Sequence, residues 1–185
     1  EEAEKVVTTN EENPEEKKET FPLVPFEPVK NFEIACTVRV KKNTLQLNYA
    51  ISGDLDGIEI HDPSENPERK IGLWERTCFE LFIKQRESPE YFEFNFAPSG
   101  DWNCFHFASP KDDLVEYPGI KKIPMNATVQ KEKDPQQFHL STLINLSSLG
   151  NYFYKPEEMF LNLAAVVLEP KKGKRSHWAI EHRGT

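Results

Sequence analysis

The chain has 185 residues and a net charge of −8, which gives room for one sizeable hydrophobic core and would be cramped for two. No run approaches the roughly 18 apolar residues that a membrane span needs. No cluster of Lys and Arg offers the counterion-replacing surface required of a nucleic-acid binder. The acidity is uneven: residues 1–20 hold eight Glu and three Lys, so the remainder is close to balanced, with 20 basic and 23 acidic residues.

Residues 1–20 are polar and Glu-rich, with no aromatic residue and no periodicity. They predict a disordered acidic leader, because their apolar surface is too small to offset the entropy of ordering. Residues 21–185 then form a single domain. Phe21–Pro28 interleaves three prolines with apolar residues and reads as an extended segment along a sheet edge, where missing N–H donors are tolerated. A strand follows over Phe32–Val40, with Ile34, Cys36, Val38 and Val40 inward. Lys41–Asn43 turns the chain into a second strand over Thr44–Ser52. Gly53–Lys70 is a long loop carrying Asp54, Asp56, Glu59, Asp62, Glu65 and Glu68. It offers oxygen ligands of the kind a structural Ca²⁺ takes, without the fixed spacing of a calcium loop.

Leu73–Phe107 contains three runs of period-two alternation separated by Gln85–Glu90 and Pro98–Asp101, which predicts an antiparallel meander. One face collects Phe79, Leu81, Ile83, Phe92, Phe94, Phe96, Phe105 and Phe107 and is assigned to the core. The other carries Cys78, Glu80, Phe82, Tyr91, Glu93, Asn95, Trp102, Cys104 and His106, a mixture unusual for a plain solvated face. Pro110–Pro124 reads as loop. Further strands are expected over Asn126–Lys131, Phe138–Ile144 and Ser176–Ile180. The apolar run within Met159–Leu168 fits a strand buried on both faces or a short helix. About nine strands, with turn signals every 8–12 residues, no capped amphipathic helix and no internal repeat, give an all-β antiparallel sandwich of jelly-roll or immunoglobulin-like architecture.

The motifs of nucleophilic, zinc-hydrolase, P-loop and dinucleotide chemistry are missing from the sequence. His61, His106, His139, His177 and His182 are scattered. Cys36, Cys78 and Cys104 lack metal-type spacing. Cys78 and Cys104, placed two strands apart at about 10 Å, exceed the reach of a disulfide. Three free thiols are expected, which favours a reducing compartment; nothing in the composition decides between a cytoplasmic and an exported protein. Glu80 and Glu93, on the same side of adjacent strands, could form an acid/base pair, although such pairs on a sandwich more often hold structure or ligand. Exposed tryptophans stack on sugar C–H faces, while carboxylates and amides bind hydroxyls. Trp74 and Trp178, with Glu80, Asn95 and Arg175, make a plausible sugar slot, and Glu93 shares its polar face.

The stretches L-W-E-R-T-C-F-E-L-F-I and Y-F-E-F-N-F-A-P-S-G-D-W resemble the bacterial DOMON-like proteins related to the family 9 carbohydrate-binding modules. The segment L-N-L-A-A-V-V-L-E-P followed by S-H-W-A-I-E-H is similar to the C-terminal signature of that family. The resemblance covers most of residues 30–182. It implies a sandwich of about ten strands, a noncatalytic role and a sugar held between two tryptophans, with Trp74 and Glu80 at the family's spacing and Trp178 at a position similar to the second Trp. Structural Ca²⁺ is also within the family's repertoire. Two other readings stay open. One is a haem or redox module, which would draw axial ligands from residues such as Met125 or Met159. The other is a structural or protein-interaction domain whose polar face is internally satisfied.

Overall fold

The computed structural model describes residues 9–10, 13–153 and 155–180. Its strands, in chain order, are β1 (Thr9–Asn10), β2 (Asn13–Pro22), β3 (Val24–Pro25), β4 (Phe32–Lys41), β5 (Thr44–Gly53), β6 (Cys78–Gln85), β7 (Tyr91–Phe96), β8 (Trp102–Phe107), β9 (Val115–Glu116), β10 (Met125–Gln130), β11 (Gln136–Asn145), β12 (Met159–Glu169) and β13 (Lys174–Ala179). They form two antiparallel sheets, in the order β1-β2-β4-β5-β11-β10 and β3-β13-β12-β6-β7-β8-β9. The fold is an all-β sandwich. Among the described residues, helix is confined to short 3₁₀ turns, and no helix is long and apolar enough to cross a membrane.

The alternation read from the sequence is the alternation of burial. β4 buries Phe32, Ile34, Cys36, Val38 and Val40, and β5 buries Leu45, Leu47, Tyr49 and Ile51. Facing them, β6 and β7 contribute Phe79, Leu81, Ile83, Phe92, Phe94 and Phe96. Tyr49 is fully buried, and its hydroxyl donates to the backbone carbonyl of Glu80 across the inter-sheet space. That bond satisfies a phenol that would otherwise be an orphan in the core. Met159–Glu169 is a strand, not a helix; one side is buried along its length, while the other is half-buried at Phe160, Asn162, Ala164 and Leu168 and fully buried at Val166, so the expectation of burial on both faces holds only there. β3 pairs with β13 through Trp178↔Pro25 and Ala179↔Val24, which places the proline-rich segment on a sheet edge as expected. Between β2 and β3 the chain changes sheets at the buried Leu23.

Three expectations are revised. Residues 1–20 are not leader throughout: Asn13–Pro22 is a strand paired with β4 from Glu16↔Lys41 to Pro22↔Ala35. Its polar side chains do not prevent this, because a strand flanked on its outer side by only the two-residue β1 is held by the backbone ladder to β4, with Phe21 alone anchoring its end in the core. Residues 1–8 and 11–12 lie outside the described residues. The third meander strand has the opposite phase to the one expected. Pairing of Phe94↔Cys104 and Phe96↔Trp102 puts Cys104 and Trp102 on the core side with His106, while Asn95↔Asn103 and Glu93↔Phe105 put Phe105 and Phe107 on the other face. A one-residue change of register exchanges every side chain between faces, and here pairing geometry overrides the simple rule that phenylalanines point inward. Cys78 and Cys104 therefore sit on opposite faces, and both are free and buried, as is Cys36.

The third revision concerns Trp178. It pairs with Ala165, is 3% exposed, lies 5.4 Å from the ring of Phe32 and donates from Nε1 to Ser176 Oγ at 2.9 Å. It is a core residue with its polar handle satisfied. Trp178→Ala is expected to cost about 3–5 kcal/mol of stability, read as a shift of the urea midpoint. A loss below 1 kcal/mol would contradict the packing described.

Candidate functional site

The outer face of the seven-stranded sheet is where the polar residues of the meander gather. β6 and β7 pair Glu80 with Asn95 and Phe82 with Glu93. β7 and β8 continue the rows to Asn103 and Phe105, and β12 brings Ala164 beside Glu80 and Asn162 beside Phe82. Two adjacent rows therefore read Ala164–Glu80–Asn95–Asn103 and Asn162–Phe82–Glu93–Phe105. The register places Glu80 and Glu93 diagonally, with Cβ atoms about 7 Å apart. Beneath this face lies the Phe-rich core, so the strands cannot slip to hide the carboxylates without exposing Phe79, Leu81 and Phe94.

The face is recessed. Asn95, Asn103 and Phe105 are each 0% exposed, although they point away from the sandwich core. The covering comes in part from the segment before β6, whose 3₁₀ turn, Leu73–Glu75, packs against β6 and β7. Trp74 in that turn meets Phe105 edge-on, with ring centroids 6.2 Å apart. The preceding residues bridge to β8: Arg69 pairs with Trp102, and its guanidinium stands 4.5 Å over the indole while donating to the carbonyls of Tyr117 and Ile120.

Asn103 is internally satisfied. Its amide nitrogen donates to the carbonyl of Lys70 and to Glu116, and its oxygen accepts from the backbone N–H of Cys104. Asn95, its row neighbour, is not: both amide atoms are buried without a hydrogen-bond partner, as is Oδ1 of Asn162. Unpaired buried amides are uncommon, and each costs roughly 1–3 kcal/mol. The two carboxyls share the discomfort. Burial pushes Glu80 up to about 7, with repulsion from Glu93 adding to it, and burial pushes Glu93 up to about 7. Two cations of the covering segment are used elsewhere: Arg76 pairs with Glu59, and Lys70 with Asp101.

Of the six residues singled out from the sequence, Glu80, Glu93 and Asn95 share this recess and Trp74 borders it through Phe105. Arg175 is exposed and donates to the backbone carbonyl of Trp74 at 3.4 Å, two rows beyond Ala164 and across β12 from β6. Trp178 faces the other side of the sheet, so no slot forms between two tryptophans. The sequence reading missed Asn162, a lone polar residue within an apolar run, and Phe105, whose phase depends on pairing. The acidic loop distributes its carboxylates: Glu59 contacts Arg76 and His61, and Asp56 contacts Lys131. Among the described residues no three His, Cys, Asp or Glu side chains converge as a metal site. A separate polar cleft of about 290 Å³ is lined by Glu59, His61, Lys70, Arg76 and Asp101, among others.

No protein-family model matches the chain, and no curated protein matches it significantly in sequence. In structure it is similar to a "putative carbohydrate-binding protein" from Bacteroides uniformis, with a TM-score of 0.56 and 10% sequence identity, over 89% of this chain and 81% of the other. At that identity the likeness extends to the fold, which is one also found in a protein bearing a carbohydrate-binding name.

The raised carboxyls carry a sign for stability. The folded state holds two protons that the unfolded chain releases near the ordinary value of 4.5, so their contribution is fully present below about 4.5 and is lost as pH rises to about 7. The double substitution Glu80→Gln, Glu93→Gln is expected to flatten this decline, with a Tm about 3–6 °C above wild type at pH 8 and little difference at pH 4.5. Parallel Tm–pH profiles for the two proteins would show that the carboxyls are not buried as described.

Proposed function

We propose that this protein is a noncatalytic carbohydrate-binding module, of the DOMON-like and family 9 kind that its motifs resemble, acting through the outer face of its seven-stranded sheet. The supporting observation is Asn95: a fully buried side chain with a donor and an acceptor both unpaired, beside two carboxyls. A sugar hydroxyl donates and accepts at once, and so matches an amide in both senses. Glu80 and Glu93 supply further acceptors, the half-buried Trp74 supplies apolar ring surface for C–H faces, and Arg175 steadies the Trp74 turn. Trp178 serves the fold and not the ligand. The structural neighbour's carbohydrate-binding name supports the reading at the level of the fold.

The noncatalytic part follows the family resemblance, and the carbohydrate-binding name of the structural neighbour supports it.

A glycan array followed by calorimetry tests the proposal. Trp74→Ala and Asn95→Leu are each expected to weaken binding of the selected glycan at least tenfold. Asn95→Leu should at the same time raise Tm, because it removes two unpaired buried polar atoms. If no glycan binds at millimolar concentration, or if both variants retain wild-type affinity, the proposal fails and a structural or protein-interaction role takes its place.

A further inference from the structure

The outer face of the six-stranded sheet carries a cationic trough. Pairing fixes its floor: Lys18 on β2, Arg39 on β4 and Gln46 on β5 form one row, and Glu16, Lys41 and Thr44 form the next. Glu16, Arg39, Lys41, Lys42, Thr44 and Gln46 line a cavity of about 250 Å³ at the end of the β4–β5 hairpin, and Lys18 flanks it beside Arg39. Four cations there meet a single carboxylate. Lys18, Lys41 and Lys42 are exposed and make no ion pair among the described residues. Arg39 faces Glu16 through Nη1 at 3.6 Å, longer than a hydrogen bond, so its guanidinium fork stays available. Lys18 across from Arg39 sets like charges directly opposite on paired strands, which opposes the pairing. The chain as a whole has a net charge of −8, so this positive cluster stands against the field of the rest of the protein.

Beyond the trough the charge stops. The third row of the face is Thr20, Thr37, Asn48, Ser141 and Asn126, and the fourth holds Ala35, Ala50, His139 and Thr128. The hydroxyls of Thr20 and Thr37 bond to each other at 2.8 Å. On β4 the next acidic side chain of this face is Glu33, roughly 20 Å along the strand from Arg39. A matching ligand therefore carries an anion at one end and uncharged hydroxyls along the rest. Duplex nucleic acid, with a charge about every 1.7 Å, would lay phosphates over the uncharged rows.

We propose that this face is a second binding site, for an acidic glycan, with a uronate carboxylate in the trough and the adjoining sugar rings over Thr37, Asn48 and Ser141. The fork of Arg39 matches a carboxylate through two parallel hydrogen bonds. Lys41 and Lys42 add charge from the hairpin end, and Thr44 and Gln46 add a hydroxyl and an amide. The hydroxyls and amides of the third row donate and accept, as sugar hydroxyls do. The site lies on the opposite sheet from Trp74 and Glu80 and does not rest on the reading given for that face.

Calorimetry of the full chain with tetragalacturonic acid and with its neutral methyl ester tests this. The acid is expected to bind at least tenfold more tightly than the ester, and to weaken at least threefold between about 50 and 300 mM NaCl. Arg39→Gln with Lys41→Gln should weaken binding of the acid at least tenfold. Lys42→Gln, a single change in the exposed turn that leaves the strand pairing alone, should weaken it at least threefold. Lys121→Gln with Lys122→Gln, which removes the same charge from another exposed segment, should leave the affinity within twofold, and so should Trp74→Ala. Equal affinity for acid and ester, or equal weakening by the two double variants, would overturn the proposal. Loss of acid binding in Trp74→Ala would move the ligand to the other sheet and overturn it too, as would tighter binding of a short DNA duplex than of the acid. No binding of the acid up to about 10 mM would remove this site while leaving the Trp74 face, read with neutral glycans, as it stands.

Discussion

The register that joins β6, β7 and β8 is the constraint on which the rest of the structure depends. With Phe79 opposite Phe96 and Leu81 opposite Phe94, the inner face of the meander is aromatic and aliphatic, and it closes on Tyr49, Phe138 and the β4–β5 hairpin. Burying a side chain of this size contributes about 1.5–3 kcal/mol, and several are locked by the same pairing. The intervening residues have no freedom left. Glu80, Glu93 and Asn95 must stand together on the opposite face, whatever that costs them.

The cost is sizeable. An amide buried with neither atom paired and two carboxyls held protonated near neutrality oppose folding, and the inner face outweighs them. A plain outer sheet face would be solvated, with its carboxylates in water. Here the Leu73–Glu75 turn and Trp74 cover part of it, while Arg69 fastens the approach to that turn. Asn103 shows that the same sheet can satisfy a buried amide completely. The contrast between Asn103 and Asn95, neighbours in one row, separates structural polarity from polarity that a ligand can complete. On the proposed function, instability of the free site and affinity for a matching ligand would be two expressions of the same unmet hydrogen bonds.

Much of the fold was legible from the residues alone. Alternation in Phe32–Val40, Thr44–Ser52 and Cys78–Phe96 gave the correct inward faces, because each strand has one apolar side to bury. β8 was not legible in the same way: Trp102, Cys104, Phe105 and Phe107 put bulky groups on both faces, and only pairing with β7 selects the phase. β2 escaped notice because its pairing to β4 is a matter of backbone groups and leaves little hydrophobic trace. Trp178 misled for another reason. Its size and polar flank suggested exposure, yet the alternation of Arg175 and His177 with Ser176, Trp178 and Ile180 already pointed it inward. Within the site, Glu80, Glu93 and Asn95 were readable as a shared face. Asn162 and Phe105 required knowing which strands adjoin.

The account turns on Glu80 and Glu93 being buried together on one face. Carbon-13 NMR titration of the two side-chain carboxyls in the free protein measures this directly, with Glu80→Gln and Glu93→Gln assigning the signals. Midpoints near 7 for both, with that of Glu93 remaining high in Glu80→Gln because burial is its cause, are the predicted result. Midpoints at the ordinary 4.5 would show two solvated carboxylates on an open sheet face, and would contradict the account.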